Sequence, residues 1–278
     1  MASEPKPRYG ALRSSRPGFW RAAAVQRWKL RGGAAWILVL LAIMTGLVWR
    51  LGRSHRGPDF PRHEGDFPSP AAIDARLEEA QLKVKDDPND IASLVELGIL
   101  HYQKGQPFYP DAINELEEAW RLGSLDSRLF YYLGALYQGE GLYPFSIVQY
   151  QRYLRNHPRD ADAALLLGKL LYQTGRHEEA LAVYQALREM RSGDPIIAEN
   201  MAMCLLALKR PDEAKDILAD LTRTKSPVAR RAHFYLGQIA FEKGLYREAL
   251  PAFVRALPAD DALGLAPAAV HAALASNF

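Results

Sequence analysis

Large and small apolar residues recur along residues 91–258 with a nearly fixed spacing. Each unit contains a small residue on an otherwise apolar stretch, and these residues are 36, 34, 34 and 35 positions apart: Gly98, Gly134, Gly168, Ala202 and Gly237. A second small residue follows in every unit: Ala112, Ser146, Ala180, Ala214 and Ala249. Four positions later comes a large apolar residue: Leu116, Tyr150, Tyr184, Leu218 and Phe253. Helical periodicity within each unit predicts five helical hairpins, in which small residues let the two helices approach closely.

These units resemble tetratricopeptide repeats. Leucine and glycine are adjacent on the first helix, as in Leu133-Gly134 and Leu167-Gly168, and a glycine such as Gly141 or Gly175 marks the turn. The resemblance implies an all-α, right-handed solenoid of about five repeats, which we assign to residues 88–258. The fourth unit departs from the pattern, with Met201-Ala202 for Leu-Gly and Lys209-Arg-Pro211 at the turn. Three units carry a large residue late in the second helix, where alanine is usual: Tyr153, Leu187 and Leu221.

Both ends of such an array need a covering element, since a terminal repeat cannot bury its outer face alone. Ser69-Pro70 starts a helix that we assign to residues 71–87 as the N-terminal cap. A second capping helix is predicted within residues 259–278, after Ala266-Pro267. Residues 106–110 lengthen the first unit and contain two aromatic side chains, which make them a candidate contact point. The sequence leaves open whether they form a functional loop or a tolerated insertion.

The resemblance also implies a binding surface. In this family the first helix of each hairpin lines a concave groove that holds peptides or protein segments. The matching positions of this chain are Ile99, Tyr102, Arg128, Tyr131, Gln138, Lys169, Tyr172, Glu199, Met203, Arg231, Phe234, Gln238 and Phe241. Aromatic and apolar residues with a few cations favour an extended or helical partner segment that has apolar anchors. The Lys/Asn arrangement of receptors for chaperone C-terminal carboxylates is missing, so we do not expect that function.

A hydrophobic run before the repeats predicts a membrane anchor. Residues 32–49 contain no charged residue, and a helix of this length nearly spans the bilayer core. Trp36 and Trp49 suit the two interfaces. A cleaved signal peptide is the alternative, but no small-x-small cleavage site follows the run. We therefore expect residues 32–51 to lie in the lipid bilayer as an uncleaved signal-anchor helix, with a basic tail at 1–31 and a Pro-rich spacer at 52–70.

Charge sets the expected orientation. The formal net charge of +3 combines eleven basic residues and one acidic residue in 1–56 with 24 basic and 31 acidic residues in the remainder, or +10 against −7. Eight basic residues precede the run and three follow it. By the positive-inside rule, the N-terminus is expected in the cytoplasm and the repeats outside it, on the inner (cytoplasmic) membrane. We expect the basic tail to orient the protein, and we expect no nucleic-acid partner.

Candidate catalytic chemistry is sparse. The seven histidines include no pair at the spacing of a helical metal site, and the single cysteine, Cys204, lies within an apolar stretch. Glycine-rich turns such as Gly139-Glu-Gly141 follow no strand and do not predict a phosphate loop. We therefore expect no enzyme activity, no cofactor and no metal.

These expectations favour a membrane-anchored scaffold that binds a protein or peptide outside the cytoplasm. Such an architecture resembles envelope-assembly proteins of secretion, pilus or polysaccharide-export machines. A first alternative is a subunit of c-type cytochrome maturation that holds an apoprotein. A second alternative is an organelle-surface import receptor, which the charge distribution disfavours.

Overall fold

A computed structural model of the chain describes residues 60–257, 271–273, 275 and 276. Eleven α-helices and two short 3-10 turns, Glu64–Asp66 and Gln106–Phe108, account for the regular structure of residues 60–257. The helices are α1 (Pro70–Asp86), α2 (Ile91–Lys104), α3 (Tyr109–Arg121), α4 (Arg128–Gly139), α5 (Tyr143–Asn156), α6 (Ala161–Gln173), α7 (His177–Met190), α8 (Pro195–Ala207), α9 (Pro211–Leu221), α10 (Val228–Glu242) and α11 (Tyr246–Arg255). The described part is therefore all-helical, as the sequence predicts.

Five consecutive hairpins form the array. Each pairs a first helix (α2, α4, α6, α8 or α10), which we call an A helix, with the B helix that follows it (α3, α5, α7, α9 or α11). One hydrophobic core runs through the hairpins from Leu94 to Ile239. A smaller cluster between α1 and α2 contains Ile73 and Leu97, so α1 covers the first A helix. The predicted repeat solenoid is confirmed.

The small residues of the A helices lie against the large residues that the spacing predicts. A Cβ built at Gly98 would lie 2.5 Å from Leu116, and one at Gly237 would lie 2.6 Å from Phe253. Such distances are too short for an added methyl group unless the neighbour moves. In the four hairpins that have glycine at this position, the absence of a side chain on the A helix is thus what lets the B helix pack so closely.

The turns of the hairpins contain a residue in the left-handed region. Gly141, Gly175 and Gly244 have φ values of 73°, 77° and 72°. In the fourth hairpin Lys209 takes this place with φ 60°. Glycine reaches this region at no steric cost, whereas lysine does not. The departure at Lys209 therefore changes the residue but not the shape of the turn.

Residues 106–110 pack against the A helix of the first repeat. The ring of Phe108 lies parallel to His101 at 5.8 Å, and Tyr109 stacks on Tyr102 at 5.8 Å. The Lys104 ammonium lies 4.7 Å from the centre of the Phe108 ring. The insertion thus supplies two aromatic side chains to the first A helix.

Three predicted elements lie wholly or mostly outside the described residues. The predicted span at 32–51 and the tail at 1–31 are among them, and no described helix combines the length and the apolar character needed to cross a membrane. Of the predicted C-terminal cap at 259–278, residues 271–273 and 275 are helical, and Ala273 packs against the last core cluster with Phe234 and Phe253.

Candidate binding groove

The second half of the predicted spacer lies against the A helices instead of extending away from them. Prolines predict a spacer over residues 52–70 because they prevent helices and strands. Within this stretch, however, Phe60, Arg62 and Phe67 each contact the repeats. The free energy of these aromatic and guanidinium groups is lower when they pack on the repeats than when they are exposed to water. The predicted spacer therefore does not describe residues 60–69.

Arg62 is held in a pocket that we call the Arg62 site, which consists of Tyr131, Tyr132, Tyr153 and Asp160. The Arg62 guanidinium donates from Nη1 to Oδ1 of Asp160 at 3.0 Å and from Nη2 to Oδ2 at 2.5 Å. Nη2 also donates to the Tyr153 hydroxyl at 2.9 Å. The two charged side chains are only 8% and 2% exposed. A bidentate ion pair at this depth orients the guanidinium strictly, because each charge would be costly to bury without the other.

Aromatic rings surround the guanidinium. Its central carbon lies 4.4 Å from the centre of the Phe60 ring and 4.7 Å from that of Tyr131. Phe60 in turn packs edge-on against Tyr131 at 5.2 Å and Tyr153 at 6.2 Å. Guanidinium groups bind favourably to aromatic faces, most of all where water is excluded. Phe60 and Arg62 therefore bind as a unit.

The groove also contacts the backbone of the segment. The Tyr132 hydroxyl donates to the carbonyl of Pro61 at 2.6 Å, and the Tyr102 hydroxyl donates to that of Arg62 at 3.5 Å, a long contact. The Tyr102 ring meets Phe67 at 5.8 Å. Because backbone carbonyls are common to all residues, these tyrosines recognise an extended chain and not a particular side chain.

Asp160 has a second role, since it is also the N-cap of α6. Its Oδ1 accepts from the backbone N–H of Ala163 at 3.1 Å, and its Oδ2 accepts from the Tyr153 hydroxyl at 2.7 Å. Asp90 and Asp194 cap α2 and α8 in the same manner. A carboxylate at a helix N-terminus satisfies free N–H groups and the helix dipole. The cap thus holds the Asp160 carboxylate through bonds that do not involve Arg62.

Burial affects the titration of the site. Burial would raise the pKa of Asp160, but hydrogen bonds from Arg62, Tyr153 and Ala163 outweigh it and leave the pKa below its ordinary value of 3.8. The ion pair is therefore present at neutral pH, and its contribution to stability is lost only as the pH falls through that lowered pKa. Burial raises the pKa of Tyr131 to about 12, so this side chain stays neutral.

Among the predicted groove residues of the first two hairpins, all but Gln138 lie at this site or beside it. Tyr102 and Tyr131 contact the docked segment. Ile99 and Arg128 line an adjoining cavity of about 480 Å³ that also reaches Pro61. The structure thus brings four of the predicted residues to one half of the groove.

The remaining predicted residues divide into accessible and packed ones. Met203 and Gln238 line a second cavity of about 320 Å³ between α8 and α10, and Lys169 is exposed on α6. Glu199 accepts from Arg231 at 2.6 Å and is mostly buried, while Tyr172 packs against His177 at 5.0 Å. The following three residues are half-buried or buried: Gln138, Phe234 and Phe241. Phe234 packs in the last core cluster with Phe253.

Sequence reasoning missed the residues that matter most: Phe60, Arg62, Tyr132, Tyr153 and Asp160. One signal was present, because Tyr153 replaces the small residue usual late in a B helix. Its hydroxyl reaches both Asp160 and Arg62. Of the three departures of this kind, only Tyr153 lies at the Arg62 site, so the departure alone does not identify the site.

The described residues thus form an all-helical array whose A-helix face is contacted by the chain's own residues 60–67. Residues 146–195 and 175–230 match two family models, each described as a tetratricopeptide repeat. The chain therefore contains tetratricopeptide repeats, which confirms the resemblance. No curated protein matches.

Solved structures share the fold. YrrB, described as a TPR protein with an unusual peptide-binding site, has a TM-score of 0.56 and 21% identity, covering 70% of this chain and 98% of that one. The C-terminal part of a TPR repeat-containing protein from Cytophaga hutchinsonii has a TM-score of 0.54 and 14% identity, covering 67% and 73%. A MamA mutant has a TM-score of 0.51 and 22% identity, covering 60% and 90%. At these identities the likeness concerns the fold alone.

Proposed function

We propose that this chain is a non-enzymatic adaptor that binds an extended segment of a partner protein along the face formed by its A helices. The docked segment at residues 60–67 is the observation that carries the proposal, since it makes ionic, aromatic and backbone contacts with that face. Protein partners dock to helical repeats through such surfaces. The peptide-binding site of YrrB agrees with this use of the fold.

We further propose that the adaptor is anchored in the inner membrane through residues 32–51, with its repeats outside the cytoplasm. The support is the eighteen-residue uncharged run and the eight basic residues before it against three after it. In this position the adaptor would serve a cell-envelope assembly such as secretion, pilus formation or polysaccharide export. A reporter enzyme that is active only outside the cytoplasm, fused after residue 278, should be active; an inactive but intact fusion would contradict the orientation.

The binding surface can be tested by site-specific photocrosslinking in intact membranes of cells that make the protein. The crosslinking residue replaces Lys169 or Gln238, which are exposed on the A helices α6 and α10. Matched controls replace Gln185 and Lys215, which are exposed on the B helices α7 and α9. We expect crosslinked partner protein at 169 and 238 and none at 185 and 215. Equal crosslinking on both sets, or crosslinking at the B helices only, would overturn the proposal.

A further inference from the structure

Residues 60–62 occupy the groove as a ligand would. The Arg62 site draws its side chains from three consecutive helices: Tyr131 and Tyr132 from α4, Tyr153 from α5, and Asp160 from the start of α6. The carboxylate of Asp160 is fixed by its capping bond to Ala163 and by Tyr153, both of which belong to the array. The pocket is thus built from the repeats, and the arginine comes from a segment outside them.

We propose that the Arg62 site recognises an arginine of a partner protein, within an extended segment in which an aromatic residue precedes the arginine by two positions. The chain's own Phe60 and Arg62 are then a resident copy of this ligand, which the partner segment displaces. The proposal rests on the proposed function, because it specifies the chemistry of the segment that the A-helix face binds.

The geometry selects a guanidinium over an ammonium group. Two parallel bonds join Arg62 to the two carboxylate oxygens of Asp160, and a third reaches Tyr153. A planar fork can make these bonds together while its face lies on Tyr131. A lysine has one nitrogen and no such plane, so it would lose part of this set.

The site places few sequence requirements on the other residues of the segment. Pro61 contributes its carbonyl to Tyr132, and a backbone carbonyl is available from any residue at that position. The ring of Phe60 fills the space between Tyr131 and Tyr153, which requires an aromatic or comparably large apolar side chain. The recognised pattern is therefore an aromatic residue, any residue, then arginine.

The resident arginine does not use all of its hydrogen-bond donors in the site. The Nε of Arg62 is buried, yet it has no hydrogen-bond partner among the described residues. A buried donor without a partner weakens the binding of the segment that carries it. Because the segment is tethered to α1, its effective concentration is on the order of millimolar, and a partner segment has to outcompete it.

The test uses the full-length chain in detergent micelles and a fluorescein-labelled peptide with the sequence of residues 57–67. In one protein variant Phe60→Ala and Arg62→Ala together vacate the site. We expect this variant to bind the peptide at least about 10-fold more tightly than the unchanged chain does, because the tethered competitor is gone. Equal helical content by circular dichroism shows that the variant is folded, and a folded variant that does not bind the peptide would overturn the proposal.

Specificity is tested first with changes in the peptide and then with one further change in the protein. Peptides with Arg62→Lys and Arg62→Gln should bind the vacated chain about 10-fold or more weakly, in line with a lost charge-assisted bidentate contact. Adding Asp160→Asn to the vacated chain should abolish the preference for the arginine peptide, while asparagine still caps α6. Equal affinity of the arginine and glutamine peptides for the vacated chain would overturn the proposal.

The outcome separates this proposal from the general one. If the arginine peptide shows no preference but Lys169 and Gln238 still crosslink a partner, the Arg62 recognition fails and the adaptor function stands. If the peptide binds as expected but crosslinking is equal on the A and B helices, the site is real and the adaptor function fails.

Discussion

At the scale of single residues, the array depends on a glycine facing a large side chain. A Cβ built at Gly168 would lie 2.8 Å from the ring of Tyr184. The fourth hairpin uses the smaller pair Ala202 and Leu218 at the same two positions, and both residues are fully buried. Alanine is therefore accommodated opposite a leucine in the fourth hairpin, whereas glycine faces the large side chain in the other four.

This contact leads to a prediction for the third hairpin. Gly168→Ala should lower the free energy of unfolding by about 1–3 kcal/mol, because the methyl group overlaps the Tyr184 ring. In the presence of Tyr184→Leu the same change should cost less, since the shorter side chain leaves room. Urea unfolding of the two single variants and the double variant measures this coupling. Additive losses, within about 0.5 kcal/mol, would show that the two residues do not compete for the same space.

Residue pairs differ in how well the sequence predicts them. Gly168 and Tyr184 belong to one repeating pattern, so their contact follows from its spacing. Arg62 and Asp160 are 98 positions apart, and Arg62 lies outside the repeats. The repeat period does not relate these two positions, so the spacing of residues in the sequence does not predict their contact. The fold was therefore predictable, whereas the centre of the binding site was not.

At the scale of elements, helix ends decide where functional groups are placed. The inter-repeat turns end in aspartates that cap the A helices α2, α6 and α8. Caps of this kind could be anticipated from Asp90 and Asp194, which precede apolar helices. One of these caps, Asp160, also binds Arg62. This second role follows only from the position of α5, which places Tyr153 beside the Asp160 carboxylate.

The proline-rich element before α1 shows the limit of composition arguments. Prolines correctly predict that residues 60–69 form no long helix, and a short 3-10 turn at Glu64–Asp66 is what the structure contains. They do not predict whether the segment is solvated or packed, because that depends on its other side chains. Phe60, Arg62 and Phe67 provide the apolar and ionic contacts that hold it on the A helices.

At the scale of the whole described array, the A-helix face has two unlike halves. The first three repeats hold the chain's own segment at the Arg62 site, with a cavity of about 480 Å³ beside it. The fourth and fifth repeats present a cavity of about 320 Å³ between α8 and α10 that the segment does not reach. The two halves therefore differ in whether the chain's own segment covers them.

The account depends on one contact, the ion pair between Arg62 and Asp160. A double-mutant cycle with Arg62→Gln and Asp160→Asn, followed by urea unfolding of the full-length chain in detergent micelles at neutral pH, measures it directly. Asparagine retains the cap of α6, so the cycle isolates the pair from the helix end. We predict a coupling free energy of about 1–3 kcal/mol, as expected for hydrogen bonds between charged groups. A coupling within about 0.5 kcal/mol of zero would contradict the docked segment and the recognition that we derive from it.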